Sequence, residues 1–332
     1  MRVEIRAAGV CHSDLSMVNG TIVPEFPLVL GHEASGLVAA VGSEVSDLSV
    51  GMPVVLNWAA PCRTCWFCLH SQPWLCRRVE GVVSRPSGTL ADGTPLHVSL
   101  GVGAFAEEAI VHRDGVVPLP DGIGLDVGAV MGCAVLTGAG AVRNTASVRT
   151  GDHVLVVGLG GIGLSAVAAA SVAGADRIIA VDVSATKEEV ARAMGATDFL
   201  LYDETLARSV RALTERRGVD HAFECVGKPA TIRAAWSSTR RGGQCTVVGV
   251  GRTTDEVTFS AMELYHYART LTSSVFGSSD PERDVPVLAS LVRAGRLDLS
   301  PLITHREGLA DLGAAFERMK QGDGVRTIIE IG

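Results

Sequence analysis

Four cysteines within one short segment have the residue type and spacing of a metal site. Cys62, Cys65, Cys68 and Cys76 are separated by two, two and seven residues. Thiolates bind zinc strongly, and four protein ligands leave no open position, so such a site is structural rather than catalytic. Two disulfides or a redox-active cluster are the alternative interpretations. The close spacing and the lack of a recognisable secretion signal favour zinc.

Three further potential ligands lie elsewhere in the chain: Cys11 in GVCHSD, His32 in LGHE and Cys133 in MGCAVLTG. Taken one at a time, each is explained more simply as a small core side chain or as a histidine with a local hydrogen bond. Together, however, two thiolates and one imidazole would leave a fourth position open on a zinc ion, as catalytic zinc sites do. We therefore treat them as candidate ligands of a second zinc.

The sequence GLGGIG at residues 158–163 follows the apolar run VLVV and precedes a helix-like stretch. With Asp182 at the end of the next predicted strand, this context is typical of a dinucleotide-binding unit. Gly158 would allow the tight turn, Gly160 the approach of a pyrophosphate and Gly163 close helix packing. A carboxylate at Asp182 would bind the ribose hydroxyls and repel a 2′-phosphate, which favours NAD(H) over NADP(H). A glycine-rich turn in an unrelated α/β domain is the alternative.

The elements that must position these residues change character near residue 150. The first ~130 residues carry short β-prone runs cut by glycine and proline, which predicts a barrel-like β region. Beyond them, apolar runs such as HVLVVGLGG and RIIAVDV alternate with alanine-rich helical stretches. That alternation predicts a parallel sheet with helices on both faces, so the fold class is α/β.

The composition indicates a globular protein of about two domains. The chain has 332 residues, of which 47% are hydrophobic and 20% charged, and its net charge of −7 argues against a nucleic-acid-binding face. No apolar run reaches the ~18 residues of a membrane span, and no signal peptide is recognisable. The eight cysteines suit a reducing compartment. We therefore expect a cytoplasmic protein with a small-molecule substrate and neither nucleic-acid nor membrane partners.

Together these motifs resemble the zinc-dependent medium-chain alcohol dehydrogenases, in particular the NAD-dependent members with two zinc ions and a longer loop. GVCHSD, GHE, the four-cysteine loop, GC-x3-TG, GLGGIG and the terminal VRTII occur in that family's order. The resemblance implies a Rossmann doubly wound parallel sheet inserted in a GroES-like β-barrel catalytic domain. It assigns residues 1–134 to the catalytic domain with its structural zinc, 135–276 to the NAD-binding domain and 277–332 to a return to the catalytic domain. It also implies a homodimer or homotetramer.

The resemblance gives each candidate near the catalytic zinc a role. The implied zinc ligands are Cys11, His32 and Cys133. Glu33 would lie beside the metal as a transient ligand, and Asp14 would orient the imidazole of the ligand histidine. Ser13 would contact the substrate oxygen and carry its proton outward. Zinc would lower the pKa of the alcohol and favour a zinc-bound alkoxide, from which hydride passes to NAD.

The resemblance also implies a larger set of coenzyme contacts and one pocket residue. The implied NAD contacts are His12, Thr137, Gly158, Gly160, Gly161, Ile162, Gly163, Asp182, Val183, Lys187, Cys225, Val226, Val248, Gly249, Val250, Phe276 and Arg326. Burial as small core side chains is the simpler interpretation of Cys225 and Cys245. Trp58 is expected either to line the substrate pocket or to lie in the core.

The chain departs from the family pattern in two places. The family normally has roughly thirty more residues before the segment that matches Cys11, which supply the first strands of the barrel and cover a sheet edge. A start codon assigned too late and a real truncation are the two explanations. Ser16 stands where some members carry a histidine at the outer end of the proton path, and we expect a steeper pH dependence of activity without it.

The function expected from the resemblance is hydride transfer between NAD(H) and a primary or aromatic alcohol or the corresponding aldehyde. The stretch from Val79 to Gly103 resembles members of which some oxidise thiol adducts of formaldehyde. Arg77, Arg78 and Arg85 would be candidate contacts for such a substrate, although a solvated charged face is the simpler interpretation of these arginines. A pathway-specific carbonyl or imine reductase is a further enzymatic alternative. A non-catalytic alternative is an NAD(H)-binding redox sensor whose zinc–thiolate sites release metal on oxidation.

Overall fold

The computed structural model describes residues 1–78 and 86–332, so Arg85 and the start of the predicted long loop lie outside the described residues. The strands of the described part are β1 Arg2–Gly9, β2 Leu28–Val29, β3 Glu33–Ala40, β4 Pro53–Leu56, β5 Gly88–Thr89, β6 Pro95–Val98, β7 Glu108–Ile110, β8 Val116–Pro118, β9 His153–Val157, β10 Arg177–Asp182, β11 Asp198–Leu201, β12 Val219–Glu224, β13 Thr239–Val247, β14 Thr270–Ser273, β15 Ile303–Gly308 and β16 Arg326–Glu330.

The helices of the same residues, besides short 3₁₀ turns, are α1 His12–Val18, α2 Trp66–Leu69, α3 Leu125–Thr145, α4 Gly161–Ala173, α5 Glu188–Ala193, α6 Leu206–Leu213, α7 Pro229–Ser238, α8 Ala261–Tyr267, α9 Pro281–Arg293 and α10 Leu312–Gln321. The C-terminal part of the chain contributes α9, α10 and the final strand β16.

The chain forms two compact units. The first comprises Met1–Leu136, Ser279–Gly295 and Ile303–Gly332, and the second comprises Thr137–Ser278 and Arg296–Leu302. The functional division at residues 134/135 and 276/277 stays a prediction.

The first unit contains a seven-stranded sheet in the order β15-β16-β1-β3-β4-β8, with β7 also paired to β1. Strand β1 is antiparallel to β3, β7 and β16. Its sequence RVEIRAAG alternates between charged and apolar residues, so Val3 and Ile5 are fully buried while their charged neighbours face outward. These apolar side chains form one core cluster with those of β3, β4 and α10.

The second unit contains a six-stranded sheet in the order β11-β10-β9-β12-β13-β14, and every pair of neighbours is parallel. Apolar runs such as HVLVV fill its strands because helices cover both faces of a parallel sheet. The strand order reverses between β9 and β12, which is where open α/β sheets bind ligands at the carboxyl ends of their strands. The predicted α/β fold class, with a Rossmann sheet and a GroES-like β domain, is confirmed.

Helix α3 is long and apolar enough to span a membrane by length and composition. The search for long apolar runs in the sequence did not find this helix. Of its most apolar 18-residue stretch, 83% is buried inside the protein, as in the core helix of a globular protein. Two five-residue segments, Met131–Val135 and Ala141–Thr145, have π-helical hydrogen bonding. Such wide turns often occur at functional sites, and the first contains the candidate ligand Cys133.

Candidate functional site

The four predicted structural ligands lie together in the first unit. Cys65 immediately precedes α2, and the short helix brings Cys68 back toward it. The Cys65 sulfur lies 3.6 Å from that of Cys68 and 3.9 Å from that of Cys76, and the Cys62 and Cys68 sulfurs are 4.0 Å apart. A zinc ion with bonds of ~2.3 Å in tetrahedral geometry needs sulfurs about 3.8 Å apart. Because the sulfurs are unbonded and close to that spacing, the cluster fits zinc rather than two disulfides.

Local hydrogen bonds prepare this loop for metal binding. The backbone N–H of Cys65 donates to the Cys62 sulfur at 3.2 Å, and the hydroxyl of Thr64 lies 3.5 Å from the same sulfur. The bond from Thr64 is the largest influence that lowers the pKa of the Cys62 thiol, to about 5. The thiolate that zinc requires is therefore favoured at neutral pH before any metal binds.

Replacing Cys65 by alanine is expected to remove one zinc ion per chain. Three thiols, those of Cys62, Cys68 and Cys76, would remain, and the described residues offer no other donor in the cluster. Three ligands would bind zinc far more weakly than four. Elemental analysis of the purified variant should give about one zinc per chain, and thermal unfolding should occur at lower temperature. Cys245→Ala, which alters a buried thiol outside both clusters, is the matched control and should retain two. Full zinc content in Cys65→Ala would contradict the assignment.

A second cluster is fully buried in the first unit. The ligand atoms of Cys11, His32, Glu33 and Cys133 all lie within 4.8 Å of one another. Their side chains are at most 8% exposed. Cys11 immediately precedes α1, His32 and Glu33 lie where β3 begins, and Cys133 lies in α3. The fold therefore brings together residues more than a hundred positions apart in the sequence.

Close packing of α3 places Cys133. A Cβ atom on Gly132 would lie 2.6 Å from the carbonyl oxygen of Leu56 in β4, so only glycine allows the helix to approach the strand this closely. The π-helical turn at Met131–Val135 then rotates the next side chain out of regular α-helical register. In the motif GC, the glycine is therefore required for packing against β4, and the cysteine is a candidate zinc ligand.

The donor set of the buried cluster fits zinc. The His32 Nε2 atom and both carboxylate oxygens of Glu33 are buried without a hydrogen-bond partner among the described residues. Leaving such groups unsatisfied is costly unless something else binds them. A hydrogen bond from the Cys133 thiol lowers the pKa of Cys11, which burial alone would raise. An imidazole nitrogen and a thiolate with free lone pairs beside a second thiol are the ligands that zinc prefers.

Asp14 fixes the orientation of the His32 ring. Its Oδ1 atom lies 3.2 Å from Nδ1 of His32 and accepts the backbone N–H of Gly31 at 3.0 Å. Both side chains are buried. Nδ1 must therefore carry the proton toward Asp14, which leaves the Nε2 lone pair for a metal ion. Burial would lower the pKa of His32, but the charges of Asp14 and Cys11 outweigh it and raise that pKa. A metal ion must therefore displace a proton from Nε2 when it binds, while Nδ1 keeps its own.

Replacing Asp14 by asparagine is expected to weaken zinc binding at the buried site about 10- to 100-fold, the usual cost of losing a carboxylate behind a ligand histidine. The side chain keeps its size, so packing changes little. Competition with a chromophoric zinc chelator would measure both affinities in one titration. The four-cysteine site of the same molecule is the internal control and should keep its affinity. Equal weakening at both sites would indicate a general loss of structure instead.

The side chains of Glu33 and Arg326 lie in contact, both buried, behind the ligands. Arg326 Nη2 lies 3.3 Å from Glu33 Oε1, too poorly aligned for a hydrogen bond, while its Nη1 donates to the carbonyl of Val10 at 2.9 Å. Burial raises the pKa of Glu33 to about 8 despite the neighbouring guanidinium. The predicted contact between Arg326 and a coenzyme pyrophosphate stays a prediction. Its position beside Glu33 was not foreseen from the sequence.

Ser13 lies beside the buried cluster of candidate zinc ligands, and Trp58 packs against the core of the same unit. The Ser13 hydroxyl is 3.8 Å from the Cys11 sulfur and half-buried; its contact with the substrate oxygen stays a prediction. Trp58 packs against the core cluster and lines a cavity of about 60 Å³ together with Asn57 and Arg78. Trp58 therefore packs with the core, and its contact with the substrate stays a prediction.

The glycine-rich segment of the second unit has the predicted backbone geometry. Gly158 has φ +92°, and a Cβ there would lie 2.5 Å from Cγ2 of Val226. A Cβ on Gly163 would lie 1.8 Å from the carbonyl oxygen of Gly158, so the helix packs directly on the turn. A Cβ on Gly160 would meet nothing within 4 Å. This open space at the start of α4 agrees with the predicted pyrophosphate contact, since the N–H groups at a helix N-terminus can bind a phosphate.

The carboxylate of Asp182 lies beside that turn, at the end of β10. It accepts the backbone N–H of Leu159 at 2.8 Å and that of Ser184 at 3.0 Å. Asp182 therefore holds the glycine turn against β10, in addition to its predicted contact with ribose hydroxyls. Val183 is 80% exposed next to it, and Lys187 follows in a short 3₁₀ turn.

Glu224, which the sequence reasoning missed, organises the loop that faces the glycine turn. Its buried Oε1 accepts the backbone N–H of Val226 at 2.9 Å, the N–H of Gly227 at 2.9 Å and the hydroxyl of Thr231 at 2.7 Å. Its own carbonyl accepts the N–H groups of Val248 and Gly249. The acidic residue that ends the strand VDHAFE, directly after the apolar pair Ala222-Phe223, was the available signal.

The remaining predicted coenzyme residues occupy varied environments. Gly161 and Ile162 form the first turn of α4, Cys225 and Val226 follow β12, and Val248, Gly249 and Val250 follow β13. Cys245 is fully buried in β13, as expected for a small core side chain, whereas Cys225 lies just after β12 and is only partly buried. In the other positions, Thr137 is buried in α3, Phe276 is buried with φ +51°, and His12 is exposed at the start of α1. Their coenzyme contacts stay predictions.

Comparison with known proteins agrees with these sites. Residues 1–121 match the family model described as alcohol dehydrogenase GroES-like domain, and residues 161–293 match the model described as zinc-binding dehydrogenase. An S-(hydroxymethyl)glutathione dehydrogenase of Escherichia coli O1:K1 / APEC is 36% identical over 98% of this chain and 91% of its own length.

Two solved structures have nearly the same fold. An alcohol dehydrogenase zinc-binding domain protein from Burkholderia ambifaria matches all of this chain and 91% of its own, with a TM-score of 0.95 and 30% identity. Benzyl alcohol dehydrogenase from Acinetobacter calcoaceticus matches the same shares with a TM-score of 0.92 and 29% identity. These relatives confirm the predicted dehydrogenase class and zinc and NAD as its cofactors. The chain therefore belongs to the zinc-dependent alcohol dehydrogenases of the medium-chain dehydrogenase/reductase family.

Proposed function

We propose that the protein transfers hydride between NAD(H) and a primary or aromatic alcohol or its aldehyde, with Cys11, His32 and Cys133 holding the catalytic zinc. The observation that carries this proposal is the buried cluster of two cysteines and an oriented histidine with a vacant Nε2 lone pair. When bound there, zinc supplies a Lewis acid for the substrate oxygen, and NAD accepts or donates the hydride.

The chain's own residues prepare this reaction. Asp14 keeps the proton of His32 on Nδ1, so that Nε2 points its lone pair at the metal position. The Oγ atom of Ser13, beside Cys11, takes the hydroxyl proton of the alcohol and passes its own toward solvent. Burial of Cys11, His32 and Cys133 excludes water from the reacting oxygen, which strengthens the electrostatic interactions there.

The charge of the candidate substrate contacts favours one class of alcohol over another. A thiol adduct such as S-(hydroxymethyl)glutathione carries carboxylates that need free cationic partners at the pocket mouth. Of the candidates, Arg78 is paired with the carboxylate of Asp114, and Arg85 lies outside the described residues. Arg77 is exposed. With one candidate already neutralised, we favour an uncharged substrate such as a benzylic alcohol, as for the relative from Acinetobacter calcoaceticus.

A substrate comparison with the zinc-loaded protein tests the proposal. Formation of NADH would be followed by absorbance with benzyl alcohol, ethanol, and S-(hydroxymethyl)glutathione generated from formaldehyde and glutathione. We expect the highest kcat/KM for benzyl alcohol with NAD. A higher value for the glutathione adduct would move the assignment to the thiol-adduct alternative. No turnover of any alcohol or carbonyl by protein with both zinc sites filled would favour the non-catalytic redox sensor.

Three further assignments belong to the same proposal. We place the catalytic function in residues 1–134 and 277–332 and NAD binding in residues 135–276. We place the protein in the cytoplasm, because zinc–thiolate sites persist in a reducing compartment.

We expect the protein to form a homodimer or homotetramer. Size-exclusion chromatography with light scattering would measure its mass in solution, and a monomeric mass would contradict this expectation.

A further inference from the structure

A cavity of about 560 Å³ in the second unit is lined almost entirely by arginine. Its walls are formed by six arginines and one tyrosine, namely Arg211, Arg216, Arg217, Arg240, Arg241, Tyr267 and Arg269. We call it the arginine cavity. Its volume lies within the usual range of small-molecule sites. None of its lining residues is a candidate zinc ligand or coenzyme contact.

The arginine cavity lies at the opposite ends of the strands from the coenzyme loops. Arg240 and Arg241 fall where the pairing of β12 with β13 skips residues, from Val219 opposite Thr239 to His221 opposite Gln244. At this bulge near the start of β13, both side chains line the cavity. The coenzyme loop begins at Val248, four residues beyond Gln244, or roughly 13 Å along the strand. A ligand in the cavity would therefore leave the coenzyme position free.

Most of the positive charge in the cavity is not neutralised by protein. Arg240 pairs with Asp220 at 2.5 Å and Arg217 with Glu215 at 3.3 Å. Arg211, Arg216, Arg241 and Arg269 have no carboxylate within 4.0 Å among the described residues. Like charges held this close repel one another, and this costs stability unless an anion binds between them.

Two of these arginines are held in place by uncharged groups. The Arg269 guanidinium lies 4.3 Å from the centroid of the Tyr267 ring and 5.3 Å from that of Trp236, and Arg211 donates to the carbonyl of Ser237 at 2.7 Å. Burial, together with repulsion from Arg211, lowers the pKa of Arg269. A guanidinium fixed by aromatic rings and carbonyls keeps its charge available, and little entropy is lost when a ligand binds it.

We propose that the arginine cavity binds a small oligophosphate anion of the triphosphate class. Arginine forks match the geometry of phosphate oxygens and bind them in bidentate fashion. The four guanidiniums without a carboxylate balance the charge of about −4 that a triphosphate carries near neutral pH. Inorganic triphosphate and the triphosphate group of a nucleotide share this chemistry, and the exposed ring of Tyr267 is the cavity's sole aromatic wall against which a base could lie.

Calorimetric titration of inorganic triphosphate into the zinc-loaded full-length protein, saturated with NADH, tests the proposal. NADH occupies the coenzyme site, so the titration reports binding elsewhere, and NADH fluorescence shows whether it is displaced. We expect saturable binding at about 150 mM salt, where non-specific attraction is screened. ATP in a parallel titration distinguishes the sources: binding equal to that of triphosphate indicates phosphate recognition alone, and tighter binding indicates that the nucleoside is recognised too.

Two charge-removing variants and a matched control locate the binding site. Arg216→Gln and Arg241→Gln alter exposed side chains without a carboxylate partner, so neither should disturb the fold. Each is expected to weaken triphosphate binding at least about tenfold. Arg208→Gln, on the exposed face of α6 and outside the cavity, should leave binding unchanged. NADH binding and dehydrogenase activity should be normal in all three.

Several outcomes would overturn the proposal. They are the absence of saturable binding, displacement of NADH by triphosphate, and equal weakening in Arg208→Gln. Tight binding of poly-glutamate with no binding of triphosphate would also overturn it, because the cavity would then be part of a surface for an acidic protein.

Discussion

Replacing His32 by alanine is expected to lower kcat/KM for alcohol oxidation by at least about 1,000-fold, since a metal Lewis acid contributes several kcal/mol to such a reaction. His32 supplies the sole imidazole of the buried cluster. Without it, the remaining donors are two thiols and the carboxylate of Glu33, whose pKa of about 8 keeps it largely protonated at neutral pH before metal binds. The measurements are steady-state kinetics and zinc content on the same preparation.

The zinc content separates loss of the metal from loss of the fold. About one zinc per chain should remain in His32→Ala, held by the four-cysteine loop. His97→Ala is the matched control because His97 is also a buried histidine of the first unit, at 8% exposure, but lies outside both clusters. It should keep two zinc ions and most of the activity. Retention of both zinc ions and of activity in His32→Ala would refute the proposed catalytic site.

The fold could be predicted from the sequence where local patterns determine it. The apolar strands after residue 150 and the helices between them predict a parallel sheet, and the glycine spacing at residues 158–163 predicts the turn before α4. Gly163 shows why the pattern is informative: any side chain there would collide with the carbonyl oxygen of Gly158. The four-cysteine loop was equally accessible, because all its ligands lie within one short segment.

The parts that escaped prediction depend on contacts between distant residues. Glu224 in an apolar strand shows its role only when the N–H groups around its buried carboxylate are located. The pairing of Arg326 with Glu33 joins residues 293 positions apart. The arginine cavity combines side chains from α6 and the loop after it, from β13, and from the end of α8 and the residues before β14, which are unremarkable one at a time. Periodicity and motif spacing carry no information about such packing.

Replacing Asp182 by asparagine is expected to lower kcat/KM with NAD about 100-fold while lowering it far less with NADP. The carboxylate can accept charge-assisted hydrogen bonds from the two ribose hydroxyls, each worth ~1.5–3 kcal/mol, and its charge repels a 2′-phosphate. It also accepts the N–H groups of Leu159 and Ser184. Loss of the glycine-turn contact alone would therefore reduce activity with both coenzymes equally. Kinetics with each coenzyme at saturating alcohol distinguish these two roles.

Asp203→Asn is the matched control for this substitution. Asp203 follows β11, the neighbour of β10, and its carboxylate accepts the N–H of Thr205 at 2.7 Å, so it makes the same kind of local turn without the predicted ribose contact. We expect no change in the ratio of the two coenzyme efficiencies for this control and a fall of about 100-fold in the NAD/NADP ratio for Asp182→Asn. A parallel fall with both coenzymes would mean that Asp182 only holds the turn. Wild-type protein that preferred NADP would contradict the predicted selectivity altogether, since an intact carboxylate beside the 2′-position is incompatible with that preference.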